Sequence, residues 1–254
     1  MTINLKTENE IAIMRIAGRK LSEIMLQLEK KVVPNVDTLT LDKLAEELVL
    51  KSGGKPAFKG YGEKKNPFPA TICASRNNEI VHGIPSAQTI LQAGDLFKID
   101  IGMEYKGFFV DMARTFAVGK IDQESEKLIE ISKKAFQLGI KKLREGEKLS
   151  TFSKAAQKVV EDAGFSVVRD LVGHGIGKNL HEDPQIPNYF EKGFRDLELK
   201  AGMTLALEPM INAGTCKTVL GSDGWVFLTA DGSRSAHYEN TILITKKGVE
   251  ILTA

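Results

Sequence analysis

Asp100 and Asp111, with ten residues between them, lie in two apolar runs, Gly94-Asp95-Leu96-Phe97-Lys98-Ile99-Asp100-Ile101-Gly102 and Gly107-Phe108-Phe109-Val110-Asp111-Met112-Ala113. The intervening Glu104-Tyr105-Lys106-Gly107 has the composition of a tight hairpin turn. With Tyr105 and Lys106 as the two loop residues, Asp100 and Asp111 stand directly opposite each other, their Cβ atoms roughly 4.5–5.5 Å apart. Facing carboxylates repel, so such a pair calls for a cation or a shared proton. Glu208 lies in Met203-Thr204-Leu205-Ala206-Leu207-Glu208-Pro209-Met210-Ile211, which reads as a buried strand. A carboxylate there is costly unless paired, protonated or metal-bound. Glu239 sits near the polar start of another strand-like run, Ser235 to Ile244. His174 is bracketed by glycines in Gly173-His174-Gly175-Ile176-Gly177, and His181-Glu182-Asp183-Pro184 follows. Glycine there allows a close backbone approach. Three of the four histidines, His82, His174 and His181, fall in Gly/Pro-rich stretches, the usual setting of site residues on scaffolded loops.

The charges match a two-metal site. Asp100, Asp111, Glu208 and Glu239 carry four negative charges, which two divalent cations neutralise, and a neutral His174 adds none. Oxygen-rich ligation with one imidazole and no thiolate favours Mn²⁺, Fe²⁺, Co²⁺ or an oxygen-rich Zn²⁺ site over structural zinc. Water bridging two metals ~3.5–4 Å apart becomes a nucleophile at neutral pH.

These side chains need a scaffold, and the hydrophobic periodicity outlines one. Thr7 and Glu10 form a capping-box pattern ahead of Met14, Ala17, Leu21, Ile24 and Leu28 at helical spacing. A second helix is expected over about Thr40–Lys51, stopped by Gly53-Gly54. A Gly-, Lys- and Pro-rich loop, Lys55 to Pro69, precedes strand-like runs at Ala70–Ala74, Glu79–Val81, Leu96–Met103 and Phe108–Val118. After Gly119 the order repeats, with helices near Gln123–Leu143 and Ser150–Ala163, then strand-like runs at Phe165–Arg169, Met203–Leu207, Trp225–Leu228 and Ala236–Thr245. The repeated order predicts a pseudo-symmetric α+β fold around one sheet. Each half, about 1–119 and 120–254, supplies two of the four carboxylates to its centre.

The composition narrows the function classes. The chain has 254 residues with 35 basic and 33 acidic side chains, a net charge of +2. That argues against a dedicated nucleic-acid binder. The 42% apolar and 27% charged residues are ordinary for a globular chain. Two cysteines, Cys73 and Cys216, make no disulfide framework and fit a reducing compartment. No apolar run approaches a membrane span of ~20 residues, and Met1 to Lys6 shows no signal-peptide core. The expectation is a single catalytic domain over 1–254, working in the cytoplasm. The lysine pairs (30–31, 64–65, 133–134, 141–142, 246–247) read as solvated faces.

The motifs resemble those of type I methionine aminopeptidases, which remove initiator methionine and have the pita-bread fold. The resemblance rests on Asn78-Glu79-Ile80-Val81-His82-Gly83-Ile84-Pro85, on Asp100 and Asp111, on Gly173-His174-Gly175-Ile176-Gly177 with His181-Glu182-Asp183-Pro184-Gln185, on Glu208-Pro209-Met210, and on Tyr238-Glu239-Asn240-Thr241. They occur in the family order from about residue 10 to 250. The resemblance implies a curved, antiparallel-rich central sheet covered by two pairs of helices. It implies two divalent metal ions, with Asp100 terminal on one metal, Asp111 and Glu239 bridging, and His174 and Glu208 terminal on the other. Glu208 would also shuttle the proton. His82 would meet the substrate amine or the leaving amide nitrogen, and His181 the scissile carbonyl. The methionine pocket would include Tyr61, Phe68, Cys73 and Trp225. A small second residue, nascent-chain N-termini as substrates, transient ribosome association and a monomer also follow by resemblance.

The chain departs from the pattern in places. Its Gly62–Pro67 loop is longer, Leu180 stands where an aromatic is usual, and Asn240 where a His is frequent. Only 33 residues separate His174 from Glu208, which leaves no room for the type II insertion, and no zinc-finger extension is present, so the short bacterial-type form is expected. Aminopeptidase P and prolidase share the fold and a similar ligand set but normally carry a further N-terminal domain. Non-catalytic binding proteins of this fold have lost ligands that are intact here.

Overall fold

The computed structural model describes residues 3–191, 193 and 196–254. Met1 and Thr2, part of the opening segment read above for a signal peptide, lie outside the described residues. The first half contains helices α1 (Glu8–Glu29) and α2 (Thr38–Lys51), then strands β1 (Lys55–Pro56), β2 (Ile72–Arg76), β3 (Glu79–Val81), β4 (Leu96–Tyr105) and β5 (Phe108–Ala117). The second half opens with α3 (Gln123–Ile140) and α4 (Ser150–Asp162), followed by β6 (Ser166–Val167), β7 (Val172–Gly175), β8 (Glu182–Pro187), β9 (Thr204–Leu207) and β10 (Met210–Asn212). It closes with β11 (Thr218–Leu220), β12 (Phe227–Thr229), β13 (Ser235–His237), β14 (Glu239–Ile244) and β15 (Val249–Ile251).

Local chemistry sets the helix starts. The Thr7 hydroxyl accepts the Glu10 N–H while the Glu10 carboxylate accepts the Thr7 N–H, the reciprocal bonds expected of a capping box. α2 begins at Thr38 rather than Thr40 because Asp37 caps it, accepting the Thr40 N–H. Each helix pair covers its own apolar cluster. Met14, Leu21 and Leu28 of α1 and Leu41 of α2 pack with Ile99, Ile101 and Val110 of β4 and β5. Leu128 and Phe136 of α3 and Phe152 of α4 pack with Leu205, Leu207, Ile242 and Ile244 of β9 and β14.

Between them runs a nine-stranded sheet in the order β1-β4-β5-β14-β9-β7-β8, with β2 added on β4 and β15 on β14. Its pairings are antiparallel. This is the α+β, pita-bread arrangement expected, with β4–β5 from one half and β14–β9 from the other meeting at the β5–β14 seam. Two three-stranded sheets, β13-β10-β6 and β11-β12-β3, flank it. The lysine pairs are exposed as expected.

The hairpin register differs from the sequence reading. Tyr105 pairs with Phe108, so the two loop residues are Lys106 and Gly107, both at positive φ (51° and 82°). That is the backbone of a type I′ turn, whose twist matches the flanking strands. Asp100 therefore pairs with Ala113 and Asp111 with Gly102. The aspartates are diagonal neighbours rather than direct partners. Because the slip is two residues, both still point to one face of the sheet.

Candidate metal centre

Four strands converge on this face through one register. Ala113 pairs with Asp100 of β4 on one side and Glu239 of β14 on the other, and Asp111 lies two residues away along β5. The period of two puts these carboxylates together. His174 of β7 pairs with Ala206 of β9, and Glu208 follows two residues on, just beyond the strand. The Asn240–Leu207 pairing, carried one step further, places Glu239 opposite Glu208. Thr241 clamps the β5–β14 seam, its hydroxyl accepting the Asp111 N–H at 2.8 Å and donating to the Asp111 carbonyl at 2.9 Å.

Asp100, Asp111, His174 and Glu239 are buried, and the Glu208 side chain is only 13% exposed. Donor atoms of Asp111, His174 and Glu239 lie within 4.8 Å of one another. Oδ1 of Asp100 and of Asp111 is buried without a hydrogen-bond partner. Burial first, then the neighbouring carboxylates, pushes Asp100, Glu208 and Glu239 well above the ordinary carboxylate range. Burial lifts Asp111 to about 7. Burial thus disfavours ionisation of all four, and the Asp111 charge adds to it at the other three.

His174 adds a second sign. Its Nδ1 lies 2.8 Å from the Gly175 carbonyl. A carbonyl only accepts, so Nδ1 carries the proton and Nε2 presents a lone pair. That lone pair lies 3.7 Å from Glu208 Oε1, an approach that a metal ion or a proton between the two makes favourable. Burial and nearby His181 hold His174 down near 3, which keeps it neutral and ligand-ready. Unpartnered oxygens, mutual repulsion and an aimed lone pair together fit a metal ion. Cys73, opposite Asp100, has its thiol raised well above the usual value by burial and then by Asp100 and Asp111, so it offers no thiolate.

One cavity of about 510 Å³ holds every residue singled out from the sequence: the five prospective ligands with His82, His181, Tyr61, Phe68, Cys73 and Trp225. Phe68 and Trp225 meet edge to face at 5.2 Å and form its apolar end. His82, at φ 60°, lies 6.3 Å from Trp225 between ring centroids. Burial pushes His82 down to about 4. His181 stands at the mouth, its ring centroid 4.3 Å from that of His174 and its Nδ1 2.5 Å from the Tyr61 hydroxyl. The glycines around His174 do allow close approach, but by the protein itself. A Cβ on Gly173 would lie 2.5 Å from the Ala206 carbonyl oxygen, and one on Gly175 would lie 2.1 Å from that of Asp183.

The sequence reading missed His237. It is 1% exposed, and its Nε2 lies 3.6 Å from Glu208 Oε2 and 3.9 Å from Glu239 Oε2. Its strand position two residues before Glu239 was the available signal, because such residues share a face.

The model of Metallopeptidase family M24 matches residues 12–246. A methionine aminopeptidase of Clostridium perfringens (strain 13 / Type A) is 49% identical over 252 residues, which span 99% of this chain and 98% of that relative. The crystal structure of a methionine aminopeptidase from Thermotoga maritima superposes with a TM-score of 0.95 at 41% identity, covering 99% of both chains. A Xaa-Pro dipeptidase from Bacillus anthracis shares the fold, with a TM-score of 0.78 at 21% identity, but 98% of this chain covers only 61% of it.

Proposed function

This chain belongs to metallopeptidase family M24, and from that premise we propose that it removes the N-terminal initiator methionine from nascent polypeptides by dinuclear-metal-assisted peptide hydrolysis. A small second residue is preferred. The observation that carries this reading is the convergence of four buried carboxylates and a lone-pair-presenting His174 in one cavity that the aromatic pair Phe68 and Trp225 also lines. In this reading Asp111 and Glu239 would be shared between two divalent ions, Asp100 would help hold one, and His174 and Glu208 would hold the other. Mn, Fe, Co and Zn all suit such donors. When bound, the ions would acidify a water and polarise the scissile carbonyl.

The chain's own residues do the rest. Glu208, ionised when the ions are held, would take a proton from the attacking water and return it to the leaving amide nitrogen. Neutral His82 meets the substrate amine or that nitrogen. The Tyr61 hydroxyl lies 2.5 Å from His181 Nδ1; in this reading it donates there, which would leave Nε2–H to bond the scissile carbonyl oxygen as negative charge develops. Phe68, Cys73, Trp225 and the Tyr61 ring receive the methionine side chain. The enzyme acts as a cytoplasmic monomer in one domain, meeting the ribosome transiently and binding no nucleic acid of its own. No helix among the described residues is long and apolar enough to cross a membrane.

A paired assay tests the reading. Chelator-stripped protein is given Met-Ala-Ser and Ala-Pro-Ala peptides, with and without Mn²⁺, Co²⁺ or Fe²⁺. Metal-restored release of methionine from the first peptide alone is expected. Cleavage of the Xaa-Pro peptide instead would move the chain to the proline-specific branch. No cleavage by folded, metal-bearing protein would make it a binding protein.

A further inference from the structure

His237 is the fourth histidine, and no step above uses it. Its backbone is pinned to β5: the His237 N–H donates to Thr115 Oγ1 at 2.8 Å, and the Thr115 hydroxyl donates to the His237 carbonyl at 2.9 Å. The ring is therefore held in place, yet neither of its nitrogens has a hydrogen-bond partner. Burying an unpaired polar group costs about 1–3 kcal/mol, so an apolar residue would serve packing better. An imidazole in either neutral tautomer has one N–H to give. The nearby acceptors of its Nε2 are Glu208 Oε2 at 3.6 Å and Glu239 Oε2 at 3.9 Å.

Glu208 thus sits between two imidazoles of opposite character. His174 turns a bare lone pair toward Oε1. His237 faces Oε2 with a nitrogen that can donate. We infer that His237 is a positioning residue for Glu208: its Nε2–H bonds Oε2, holds the carboxylate in one orientation, and leaves Oε1 for the metal shared with His174. Outer partners of this kind fix ligating carboxylates and typically change metal affinity 10–100-fold when lost. The inference rests on the reading of Glu208 as a metal ligand.

The test compares His237→Gln, which keeps an N–H donor, with His237→Leu, which keeps bulk alone. Mn²⁺ binding to stripped protein is measured by calorimetry, alongside turnover of Met-Ala-Ser. His237→Leu should weaken Mn²⁺ binding roughly 10–100-fold, and His237→Gln should restore most of that affinity. Unchanged Mn²⁺ affinity in a folded His237→Leu variant overturns the inference. So does a His237→Gln variant as weak as the leucine one, because the imidazole would then act other than as a donor. Wild-type protein that binds no Mn²⁺ would instead overturn the metal-ligand reading itself. A second measurement needs no variant. Long-range ¹H–¹⁵N spectra of zinc-loaded protein should show His237 protonated at Nε2, and an unprotonated Nε2 there overturns the inference.

Discussion

Buried charge is handled in two ways in this molecule. Beneath the loop that carries His181, the Lys6 ammonium meets Glu182 Oε2 at 2.6 Å, with the two side chains 3% and 5% exposed. Glu182 Oε1 also accepts the Asn179 N–H, and Lys6 donates to the Asn4 carbonyl. Gly177 makes room, since a Cβ there would lie 2.1 Å from Lys6 Cε. Lys98 is treated alike: fully buried, it donates to the Asn77 and Ser235 carbonyls at 2.8 and 3.1 Å. At the centre of the sheet four carboxylates share a face, and Oδ1 of Asp100 and of Asp111 has no hydrogen-bond partner. Satisfied burial holds a fold together. Unsatisfied burial, persisting where a sheet register could have excluded it, marks where something else binds.

The largest expected effect breaks this contrast at its centre. Asp111→Asn removes one of the four charges while keeping shape. Methionine release from Met-Ala-Ser should fall by roughly 10⁴-fold, about 5.5 kcal/mol of transition-state stabilisation. The Tm of the metal-free variant should equal or exceed that of the metal-free parent, because repulsion is relieved. A variant that keeps full activity removes Asp111 from the site, and one that unfolds makes the cluster structural.

At the satisfied pair the sign reverses. Lys6→Met strands a buried carboxylate and should cost about 3–5 kcal/mol of stability, a Tm drop on the order of 10 °C for a chain of this size. Adding Glu182→Leu should recover most of it, because an apolar pair replaces a broken ionic one. Thermal unfolding of the three proteins checks this. A Lys6→Met variant with parental Tm would show that the pair contributes nothing.

The cluster also predicts a pH dependence. Asp111 is raised to about 7 in the folded chain, against roughly 3.9 for an unperturbed aspartate. Between those values the folded state holds a proton that the unfolded state has released. Stability of the metal-free protein is therefore full below about pH 4 and falls as pH rises toward 7, by up to about 1.4 kcal/mol per unit for one such group. Metal at a hundredfold excess over its Kd should return about 2.7 kcal/mol at pH 7. A Tm that stays flat over this range without metal, or that metal leaves unchanged, would contradict the burial of an ionisable Asp111 at a metal site.

Much of this was legible in the sequence, and the gaps have physical causes. The helices were readable because Thr7–Glu10 and the Met14–Leu28 stripe act locally. Asp100, Asp111 and Glu208 stood out as carboxylates in apolar runs, whereas Glu239, at the polar start of a run, and His174, in a Gly-rich stretch, stood out only in company with them. The hairpin register was misjudged because Tyr105-Lys106 and Lys106-Gly107 are both plausible loops, and only strand twist selects the pair at positive φ. Strands β7 and β8 escaped notice because glycine and Pro184 hide their periodicity, and tertiary pairing alone makes them strands. His237 was missed for a related reason: it lies outside the Gly/Pro-rich stretches that drew attention to the other histidines, and the fold puts Glu208 against it.

The smallest effect sharpens the contrast at the cavity mouth, where one residue serves both regions. Tyr61 was read as a wall of the methionine pocket, and it does line the cavity. Its hydroxyl, however, lies on His181 Nδ1, and Glu182, the next residue, is locked by Lys6. His181 is thus fixed from its backbone side by a satisfied ion pair and from its ring side by a phenol. Tyr61→Phe keeps the wall and removes only the hydroxyl. One hydrogen bond contributes about 0.5–1.5 kcal/mol net, so kcat for Met-Ala-Ser should fall roughly 2–10-fold with KM and metal content unchanged. If KM rises instead while kcat holds, Tyr61 serves the pocket alone, and the His181 tautomer is set by something other than the phenol.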